Sequence, residues 1–361
     1  MAAVPFRLID SGVRDGREQI AFDAALVELH KAGRVPDTVR FLQFHPSALV
    51  GRHQSLSGEV KVAHCKAKGI GLVRRMTGGG SLYMDEKQLG WELVLSRKRL
   101  PLPGLADYTR AICEAVAHGL SEGFGIEAKY RPRNDIEVAG RKLCGTGGFF
   151  DGDTLIYQGT TLVDMNPQDM LAALNVPEAK LKKRDIDDAG QRVVTLKELL
   201  GHVPDMAKVK AAIIGGLEAK LGIKTTAAAI SEMEFAEGRR LFDAEIGTDE
   251  FVYEIDTPLG GGDDVLSASQ TGAGGTVNAF LRLEGRGGAR RIREALLTGD
   301  FFVTPPRMVF DLEASLRGAL KSEAGAVVDA FFQRTKPDLL TIAPADFRKV
   351  IEDAIARDAG A

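Results

Sequence analysis

The chain has 361 residues, of which 44% are hydrophobic and 27% charged, with a formal net charge of −3. The length allows about two domains, and the composition is typical of a globular protein with apolar cores. Because the net charge is small and negative, it excludes a general attraction to nucleic acid or to an anionic membrane, so we expect any affinity for phosphate to be local.

Cysteine and histidine are too few and too scattered for a disulfide framework or a structural metal site. The three cysteines, Cys65, Cys113 and Cys144, form no CxxC pair, and the six histidines form no HExxH motif. The N-terminal stretch carries charge throughout, and no apolar run approaches the roughly 18 residues of a membrane helix. We therefore expect a cytoplasmic protein without a signal peptide or a membrane contact.

Alternating helices and strands are predicted along the first part of the chain. Asp15 and Glu18 give a capping-box pattern that opens a helix through IAFDAALVELH. Another helix starts at Asp107 and ends at Gly123 and Gly125, and its apolar residues recur every three or four positions. Short apolar runs bounded by Pro, Gly or His predict buried strands at VRFLQF, SALVG, GIGLV and WELVLS.

The later segments continue this alternation until the composition changes. NDIEVAGRKLCG and DTLIYQGTTLVDMN read as strands around turns, and Asn166 with Pro167 begins a short helix. The charged segment KLKKRDIDDAGQRV is predicted as a surface loop, and helices follow at about residues 205–221 and over SEMEFAEGRRLFDAEI. Residues 257–275 are rich in Gly, Ser and Asp and predict an interdomain linker or a long loop. Two adjacent strands and further helices behind this stretch complete a small α+β unit.

The stretch RRMTGGGSLYMDE, residues 74–86, places two arginines beside three consecutive glycines. Glycine N–H groups without a neighbouring Cβ can point at phosphate oxygens, and Arg74 and Arg75 can add charge-assisted hydrogen bonds. The stretch matches neither a Walker A motif nor a GxGxxG dinucleotide fingerprint. A flexible hairpin turn with solvated arginines is the alternative interpretation of this loop on its own.

A second stretch, RNDIEVAGRKLCGTGG at residues 133–148, combines a carboxylate, a lysine and a glycine cluster. Asp135 is a candidate Mg²⁺ ligand through oxygen, and Lys142 follows a turn at Ala139 and Gly140. A lysine placed there can neutralise a phosphate and polarise a carboxylate at the same time. A β-hairpin with an exposed lysine is the alternative, but the two stretches together favour a polyphosphate site.

The ordered set of motifs resembles the lipoate–protein ligase A family, which is related in fold to the biotin protein ligases. The motifs are HPSALVGRHQ (45–54), RRMTGGGSLYMD (74–85), NDIEVAGRKLCGTG (134–147), YQGTTLVDMN (157–166) and KLKKRDIDDAGQRVVTLKELL (180–200). The tail, with LTGDFF and DLEASLRGAL, resembles the accessory domain of these ligases. The resemblance implies an α+β fold. A catalytic ligase domain over residues 1–247 would hold a mixed β-sheet flanked by helices, and a small α+β accessory domain would cover residues 248–361.

The resemblance also implies roles for individual residues. An ATP and acyl-adenylate pocket would be formed by Arg74, Arg75, Gly78, Gly79, Gly80, Ser81, Leu82, Tyr83, Asn134, Lys142, Gly159 and Thr160. Lys142 would be the catalytic residue, contacting the acyl carbonyl and the α-phosphate, and Asp135 would be the metal ligand. His53 and Gly145 would line the acyl-chain pocket, although a structural histidine is the alternative for His53.

The implied activity is the ATP-dependent ligation of lipoate or octanoate to a lysine of a carrier protein, through an acyl-AMP intermediate. ATP and Mg²⁺ would be required, and the carrier would be a lipoyl domain of an E2 protein, an H-protein or a related lipoate-binding protein. Met84, Cys144 and the pair Tyr157-Gln158 depart from the residues usual in the family. These departures bear on acyl-chain preference and carrier choice more than on the core reaction.

Two other functions stay open at this point. A cysteine-dependent octanoyl- or lipoyl-transferase of the same fold would pass the acyl group through a thioester and would need no ATP. Cys144 is the only cysteine close to the predicted site, and a small buried residue is the favoured interpretation of it. A non-catalytic acyl- or nucleotide-binding module is the third function, and the presence of both Arg75 and Lys142 argues against it.

Overall fold

The protein is described by a computed structural model over residues 4–175, 192–272 and 274–358. Packing divides the chain into two compact units that are interleaved in sequence. The first unit comprises Met1–Leu49, Val60–Arg74 and Leu82–Val252, and the second comprises Val50–Glu59, Arg75–Ser81 and Tyr253–Ala361. The division into separate domains at residue 247 stays a prediction. The predicted surface loop over residues 180–193 lies, except for its last two residues, outside the described ranges.

Runs of one to four strands are separated by helices along the described chain, and the strands predicted from apolar runs are present. The strands are β1 (Val4–Arg14), β2 (Thr38–Phe44), β3 (Ser47–Val50), β4 (Gly71–Arg74), β5 (Leu82–Met84), β6 (Leu89–Ser96), β7 (Ala128–Arg131), β8 (Asp135–Val138), β9 (Arg141–Asp151), β10 (Thr154–Thr161), β11 (Ile223–Ala227), β12 (Leu266–Gly272), β13 (Gly275–Glu284), β14 (Arg291–Gly299), β15 (Val303–Thr304) and β16 (Asp338–Leu339).

Most of the longer helices begin where the sequence offers a cap or an acidic first turn. The α-helices within the described ranges are α1 (Gly16–Lys31), α2 (Leu56–Glu59), α3 (Val62–Lys68), α4 (Leu105–Phe124), α5 (Pro167–Ala173), α6 (Leu196–Leu200), α7 (Met206–Leu221), α8 (Glu232–Leu241), α9 (Asp249–Val252), α10 (Met308–Leu316), α11 (Ala324–Thr335) and α12 (Pro344–Ile355). A π-helical turn over Phe242–Ile246 continues α8. No helix of these described ranges is both long and apolar enough to cross a membrane.

The first unit is built on an eight-stranded mixed sheet in the order β11-β1-β2-β6-β10-β9-β8-β7. β1 runs parallel to both of its neighbours, β11 and β2. All the other neighbouring strands in this sheet order are antiparallel. A second, smaller sheet has the strand order β4-β3-β5. The mixed sheet flanked by helices confirms the predicted fold class.

Helices cover both faces of the large sheet. On one face, α4 packs so closely against α7 that a Cβ added at Gly119 would lie 2.1 Å from the carbonyl oxygen of Ala212. On the other face, α1 places Asp23 against Arg40 of β2 and Gln158 of β10. The side chain of Asp15 caps α1 by accepting from two backbone N–H groups, as the capping-box pattern predicted.

The second unit holds a three-stranded antiparallel sheet, β12-β13-β14, that packs against α10, α11 and α12 around an apolar core. Phe301 and Phe347 meet edge to face in this core, with ring centroids 5.3 Å apart. The prediction of a linker or loop over residues 257–275 was wrong for Leu266–Gly272, which form β12. This strand lies at the edge of its sheet, and Ala268 is its one buried residue, so its sequence lacks an apolar run.

Candidate functional site

A β-bulge in β9 determines the face of the sheet on which the side chain of Lys142 lies. Ile136 of β8 pairs with Cys144 and the next residue, Glu137, pairs with Lys142, so that Leu143 is an extra residue in β9. Such a bulge shifts the alternation of side chains by one position. It therefore places Lys142 on the same face of the sheet as Asp135 and Gly145, which strict alternation would not do.

Lys142 and Asp135 form an ion pair on this face. The Nζ atom of Lys142 lies 2.8 Å from Oδ1 of Asp135, and Arg131 contacts the other carboxylate oxygen. Burial acts to raise the pKa of Asp135, but the charges and hydrogen bonds of Lys142 and Arg131 outweigh it and hold this pKa below its usual value. Asp135 is therefore an ionised carboxylate at neutral pH.

Gly145 provides the space in which the end of Lys142 lies. A Cβ added at Gly145 would be 2.6 Å from both Cε and Nζ of Lys142. Gly145 pairs across the strands with Asp135 on one side and with Thr160 on the other. Thr160 donates to Sδ of Met84 at 3.5 Å. The structure therefore brings together four of the predicted site residues: Asp135, Lys142, Gly145 and Thr160.

Two further predicted residues point to the opposite face of the sheet. Gly159 pairs with Trp91, whose fully buried indole lies only 2.1 Å from the position that a Cβ of Gly159 would occupy. Asn134 donates from Nδ2 to the carbonyl oxygen of Thr146 at 2.5 Å. Both residues support the sheet from the side of α4, whereas Lys142 and Asp135 lie on the other side.

Arg75 is a buried cation in the loop between β4 and β5. Its Nη2 atom donates to the carbonyl oxygens of Gly78 at 3.0 Å and Gly80 at 2.9 Å. Its Nη1 atom is buried and has no hydrogen-bond partner among the described residues, and no carboxylate there pairs with it. Burial alone lowers the pKa of Arg75 to about 10. A guanidinium in these surroundings is suited to binding an anion, which would accept a hydrogen bond from Nη1.

The glycine loop is more enclosed than the sequence suggested. Three exposed N–H groups were expected, but Gly79 is buried and its N–H donates to the carbonyl oxygen of Phe301 at 3.1 Å. A Cβ at Gly78 would lie 2.0 Å from that oxygen, and one at Gly79 would lie 2.5 Å from the ring of Phe302. The prediction of solvent-facing amides is therefore wrong for Gly79, and Gly80 remains exposed.

The residues that flank the glycines have separate contacts. Arg74 is fully buried and donates to the carbonyl oxygens of Phe251 and Val252, at the end of α9. Ser81 donates to Oε2 of Glu59 at 3.2 Å. Leu82 and Tyr83 are half-buried in β5. Burial, with the nearby Asp85, raises the pKa of Tyr83 to about 12.

His53 lies in the second unit within an aromatic cluster. Its imidazole stacks on Phe301 at 5.5 Å and meets Phe310 at the same centroid distance. The side chain is 1% exposed. This environment agrees with the structural interpretation of His53, and its role in an acyl-chain pocket stays a prediction.

All three cysteines of the chain are buried thiols. Burial raises the pKa of Cys65, and it raises that of Cys113 to about 11 and that of Cys144 to about 12. The Sγ atom of Cys144 contacts the hydroxyl of Thr161 at 3.3 Å, and that of Cys113 contacts the hydroxyl of Thr146 at 3.4 Å. Burial therefore outweighs every effect that lowers these pKa values, whereas reactive cysteines have lowered values.

Carboxylates and imidazoles do not gather into a preformed metal cage. Within the part of the chain that the structure describes, no group of three or more His, Cys, Asp or Glu side chains could hold a metal ion. Magnesium needs no such cage, because one or two carboxylates together with substrate phosphates and water satisfy it. Asp135 lies on this face, and its carboxylate oxygens are of the kind that magnesium binds.

Comparison with known proteins identifies the family of this site. The family described as the lipoyl protein ligase A/B catalytic domain matches residues 15–218, which are more than half of the chain. The chain belongs to this family, and it is an enzyme of the lipoate ligase and octanoyltransferase class. The resemblance read from the sequence motifs is confirmed.

Individual relatives include both kinds of activity. An octanoyltransferase LipM from Symbiobacterium thermophilum is 29% identical over 269 residues, which cover 68% of this chain and 97% of that protein. A crystal structure of lipoate-protein ligase A bound with ATP has a TM-score of 0.61 and 25% identity, and it covers 71% of this chain and 100% of that one. LipL1 from P. falciparum in complex with lipoate has a TM-score of 0.73, 16% identity and coverage of 98% of this chain and all of that one, which shows the fold alone.

Proposed function

We propose that this enzyme is an AMP-forming ligase that activates lipoate or octanoate with ATP and joins the acyl group to a lysine of a lipoyl carrier domain. The acid carboxylate would attack the α-phosphorus of ATP, which forms the acyl–oxygen–phosphorus anhydride and releases pyrophosphate. The carrier amine would then attack the acyl carbonyl, forming the amide, releasing AMP and losing its proton to solvent.

The observation that carries this proposal is the state of the three thiols. A transferase that works through a thioester needs a thiolate, and reactive cysteines have lowered pKa values in polar, partly exposed surroundings. Cys65, Cys113 and Cys144 are buried with raised pKa values, and they are all the cysteines in the chain. A mechanism that needs no nucleophile from the enzyme agrees with this arrangement.

The two basic groups fit the charges of the proposed reaction. Arg75 has an unsatisfied buried Nη1 that can bind a phosphate oxygen without giving up an existing ion pair. Lys142 can stabilise the negative charge that develops on the reacting carboxyl group or the α-phosphate. Within its own unit, Arg75 is held by its bonds to Gly78 and Gly80, and Lys142 is held by its ion pair with Asp135. Positioning of this kind lowers the reorganisation needed during reaction.

A magnesium ion is the proposed partner of ATP, and Asp135 is the residue that would hold it. The ion would neutralise phosphate charge, as divalent metals do in phosphoryl-transfer enzymes. The fit rests on the oxygen chemistry of the Asp135 carboxylate, since one or two carboxylates with substrate phosphates and water satisfy magnesium.

Pyrophosphate release from ATP in the presence of medium-chain acids tests the proposal. We expect release with lipoate or octanoate, and we expect Lys142→Ala to lower its rate at least about a hundredfold while leaving the folded state intact. Lys129→Ala is the matched control, because this lysine is 70% exposed on β7, which lies two strands away in the same sheet. Normal release by a folded Lys142→Ala enzyme would remove Lys142 from the mechanism.

The transferase is the second candidate, because the relative from Symbiobacterium thermophilum carries that name. It predicts transfer from an octanoyl thioester to the carrier domain without ATP, and loss of this transfer after alkylation of the thiols. The ligase predicts no transfer without ATP and no effect of alkylation under native conditions. Mass spectrometry of the carrier distinguishes the two outcomes.

A further inference from the structure

A chain of buried hydrogen bonds supports the candidate site from the opposite face of the sheet. Thr146 of β9 donates from its backbone N–H to the carbonyl oxygen of Asn134 at 2.9 Å and from its hydroxyl to the same oxygen at 2.8 Å. Asn134 returns a bond from Nδ2 to the carbonyl oxygen of Thr146 at 2.5 Å. Three bonds therefore fix the residue that immediately precedes Asp135.

The hydroxyl of Tyr157 completes this chain from β10. It forms a short hydrogen bond with the hydroxyl of Thr146. A carbonyl oxygen can only accept, so the proton of the Thr146 hydroxyl is committed to Asn134. Tyr157 therefore donates to Thr146, and the thiol of Cys113 lies 3.4 Å from the Thr146 hydroxyl and 3.5 Å from the Tyr157 hydroxyl.

The tyrosine is held rigidly in this role. Tyr157 is fully buried and pairs with Gly148, where a Cβ would lie 2.9 Å from the tyrosine ring. Trp91 packs beside it with ring centroids 6.4 Å apart. Burial raises the pKa of Tyr157 well above its usual value, so its hydroxyl keeps its proton and remains a donor.

The peptide bond between Asn134 and Asp135 connects this chain to the other face. Asn134 is the turn residue joined directly to Asp135 at the start of β8, and the Asp135 carboxylate lies 2.8 Å from Nζ of Lys142 on the other face. We propose that Tyr157 is a positioning residue for Lys142, acting in turn through Thr146, Asn134 and the Asp135 carboxylate. This inference rests on the proposed function of Lys142. It assigns a role to a position where the residue usual in the family is replaced.

A kinetic comparison tests the proposal with a matched control. Tyr157→Phe and Tyr108→Phe each remove one buried hydroxyl from the first unit. The Tyr108 hydroxyl bonds to the carbonyl oxygen of Arg97 at 3.2 Å, and its ring packs on Phe150. We expect Tyr157→Phe to lower kcat for pyrophosphate release about tenfold with KM for ATP changed less than about twofold, because misplacement of a reacting group acts on the transition state. Tyr108→Phe should leave kcat unchanged at a similar loss of Tm.

A double-mutant cycle shows whether Tyr157 acts through Thr146. Thr146→Val removes the intermediate hydroxyl and keeps the side-chain shape. The double variant with Tyr157→Phe should be no slower than Thr146→Val alone, whereas Thr146→Ser should retain most of the activity. Additive losses in the double variant, or equal losses in Tyr157→Phe and Tyr108→Phe, would overturn the proposal.

Amide hydrogen exchange provides a readout that does not depend on the reaction. The N–H of Thr146, which donates to Asn134, should exchange about tenfold faster in Tyr157→Phe than in the wild type. Its exchange rate should be the same in Tyr108→Phe as in the wild type. An unchanged rate in Tyr157→Phe would refute the positioning chain even if the enzyme is active. If the wild type releases no pyrophosphate, the proposed function fails, and the exchange experiment still decides whether Tyr157 holds Asn134.

Discussion

Arg75 shows how a single residue can indicate a ligand. Its guanidinium is 8% exposed, its pKa is lowered by burial, and its neighbours Gly78 and Gly80 offer only neutral carbonyl oxygens. A buried charge without a counter-charge is unfavourable for the folded protein. The ligand-free protein tolerates this arrangement, and an anionic substrate would relieve it.

Replacing Arg75 with lysine tests this interpretation. Arg75→Lys keeps the positive charge but loses the planar fork that can bond two loop carbonyls and a phosphate oxygen together. We expect the Kd for ATP to increase about tenfold to a hundredfold, since hydrogen bonds to charged groups contribute about 1.5–3 kcal/mol. Isothermal titration of ATP into both proteins measures the change.

Arg52→Lys is the control for this titration. Arg52 also belongs to the second unit, but its Nη1 pairs with Glu254 at 2.5 Å, so it already has a counter-charge. We expect its replacement to leave the affinity for ATP unchanged. An Arg75→Lys protein that binds ATP as tightly as the Arg52→Lys protein would contradict the assignment of the loop.

Residue types were easier to predict than their surroundings. The sequence identified Lys142, Asp135 and the glycines, and the structure places Lys142, Asp135 and Gly145 together. The bond from Gly79 to Phe301 was not predictable, because it joins residues more than two hundred positions apart in the chain, and the burial of Arg75 depends on packing that the sequence of the loop does not reveal. Neither contact leaves a local pattern in the sequence.

At the scale of elements, the bulge in β9 decides which face Lys142 occupies. The period of a strand predicts that Lys142 and Cys144 share a face, but the extra residue Leu143 separates them. The helices were predicted more reliably, because caps such as Asp15 and Asn166 and the core stripe of α4 are local signals. A bulge depends on the partner strand, so the sequence of β9 alone does not reveal it.

Two glycines in neighbouring strands should respond differently to the same substitution. In Gly145→Ala the new Cβ meets the flexible end of Lys142, which can move aside. We expect a loss of stability below about 1 kcal/mol but at least a tenfold lower rate of pyrophosphate release, because Lys142 leaves its place. In Gly159→Ala the Cβ meets the fully buried ring of Trp91, and we expect about 1–3 kcal/mol of destabilisation from overpacking.

Urea unfolding followed by tryptophan fluorescence measures both stabilities, because Trp91 is the only tryptophan in the chain. Pyrophosphate release measures the corresponding rates. If Gly145→Ala were as active as the wild type, the position of the Lys142 side chain over Gly145 would not be needed for the reaction. If Gly159→Ala were fully stable, Trp91 would have to be able to move.

At the scale of the whole molecule, each unit contains a buried carboxyl group whose negative charge would not be fully neutralised by a neighbouring cation. In the first unit, Arg40 is shared between Asp23 and Glu92, and burial raises the pKa of Asp23 to about 8. In the second unit, Glu313 accepts the N–H of Leu297 at 2.7 Å, and burial raises its pKa to about 7. Stability of the protein should therefore depend on pH in the neutral range.

The sign for Glu313 follows from linkage. Its folded pKa of about 7 lies above the ordinary value of 4.5, so the folded state binds the proton more tightly than the unfolded state. The stability that this proton contributes is fully present below about pH 4.5 and is lost as the pH rises through about 7. At roughly 1.4 kcal/mol per pH unit, the loss is on the order of 3 kcal/mol.

Glu313→Gln should remove this dependence while keeping an oxygen for the N–H of Leu297. We expect the Tm of the variant to match that of the wild type near pH 5 and to exceed it at pH 8, where the wild type buries a charge. Glu294→Gln is the control with opposite sign, because Arg282, at 2.9 Å, lowers the pKa of that exposed glutamate. Its loss should lower the Tm at pH 8. Thermal unfolding of the three proteins at both pH values checks the prediction, and a Tm difference between Glu313→Gln and wild type that does not grow with pH would show that Glu313 stays neutral or solvated when folded.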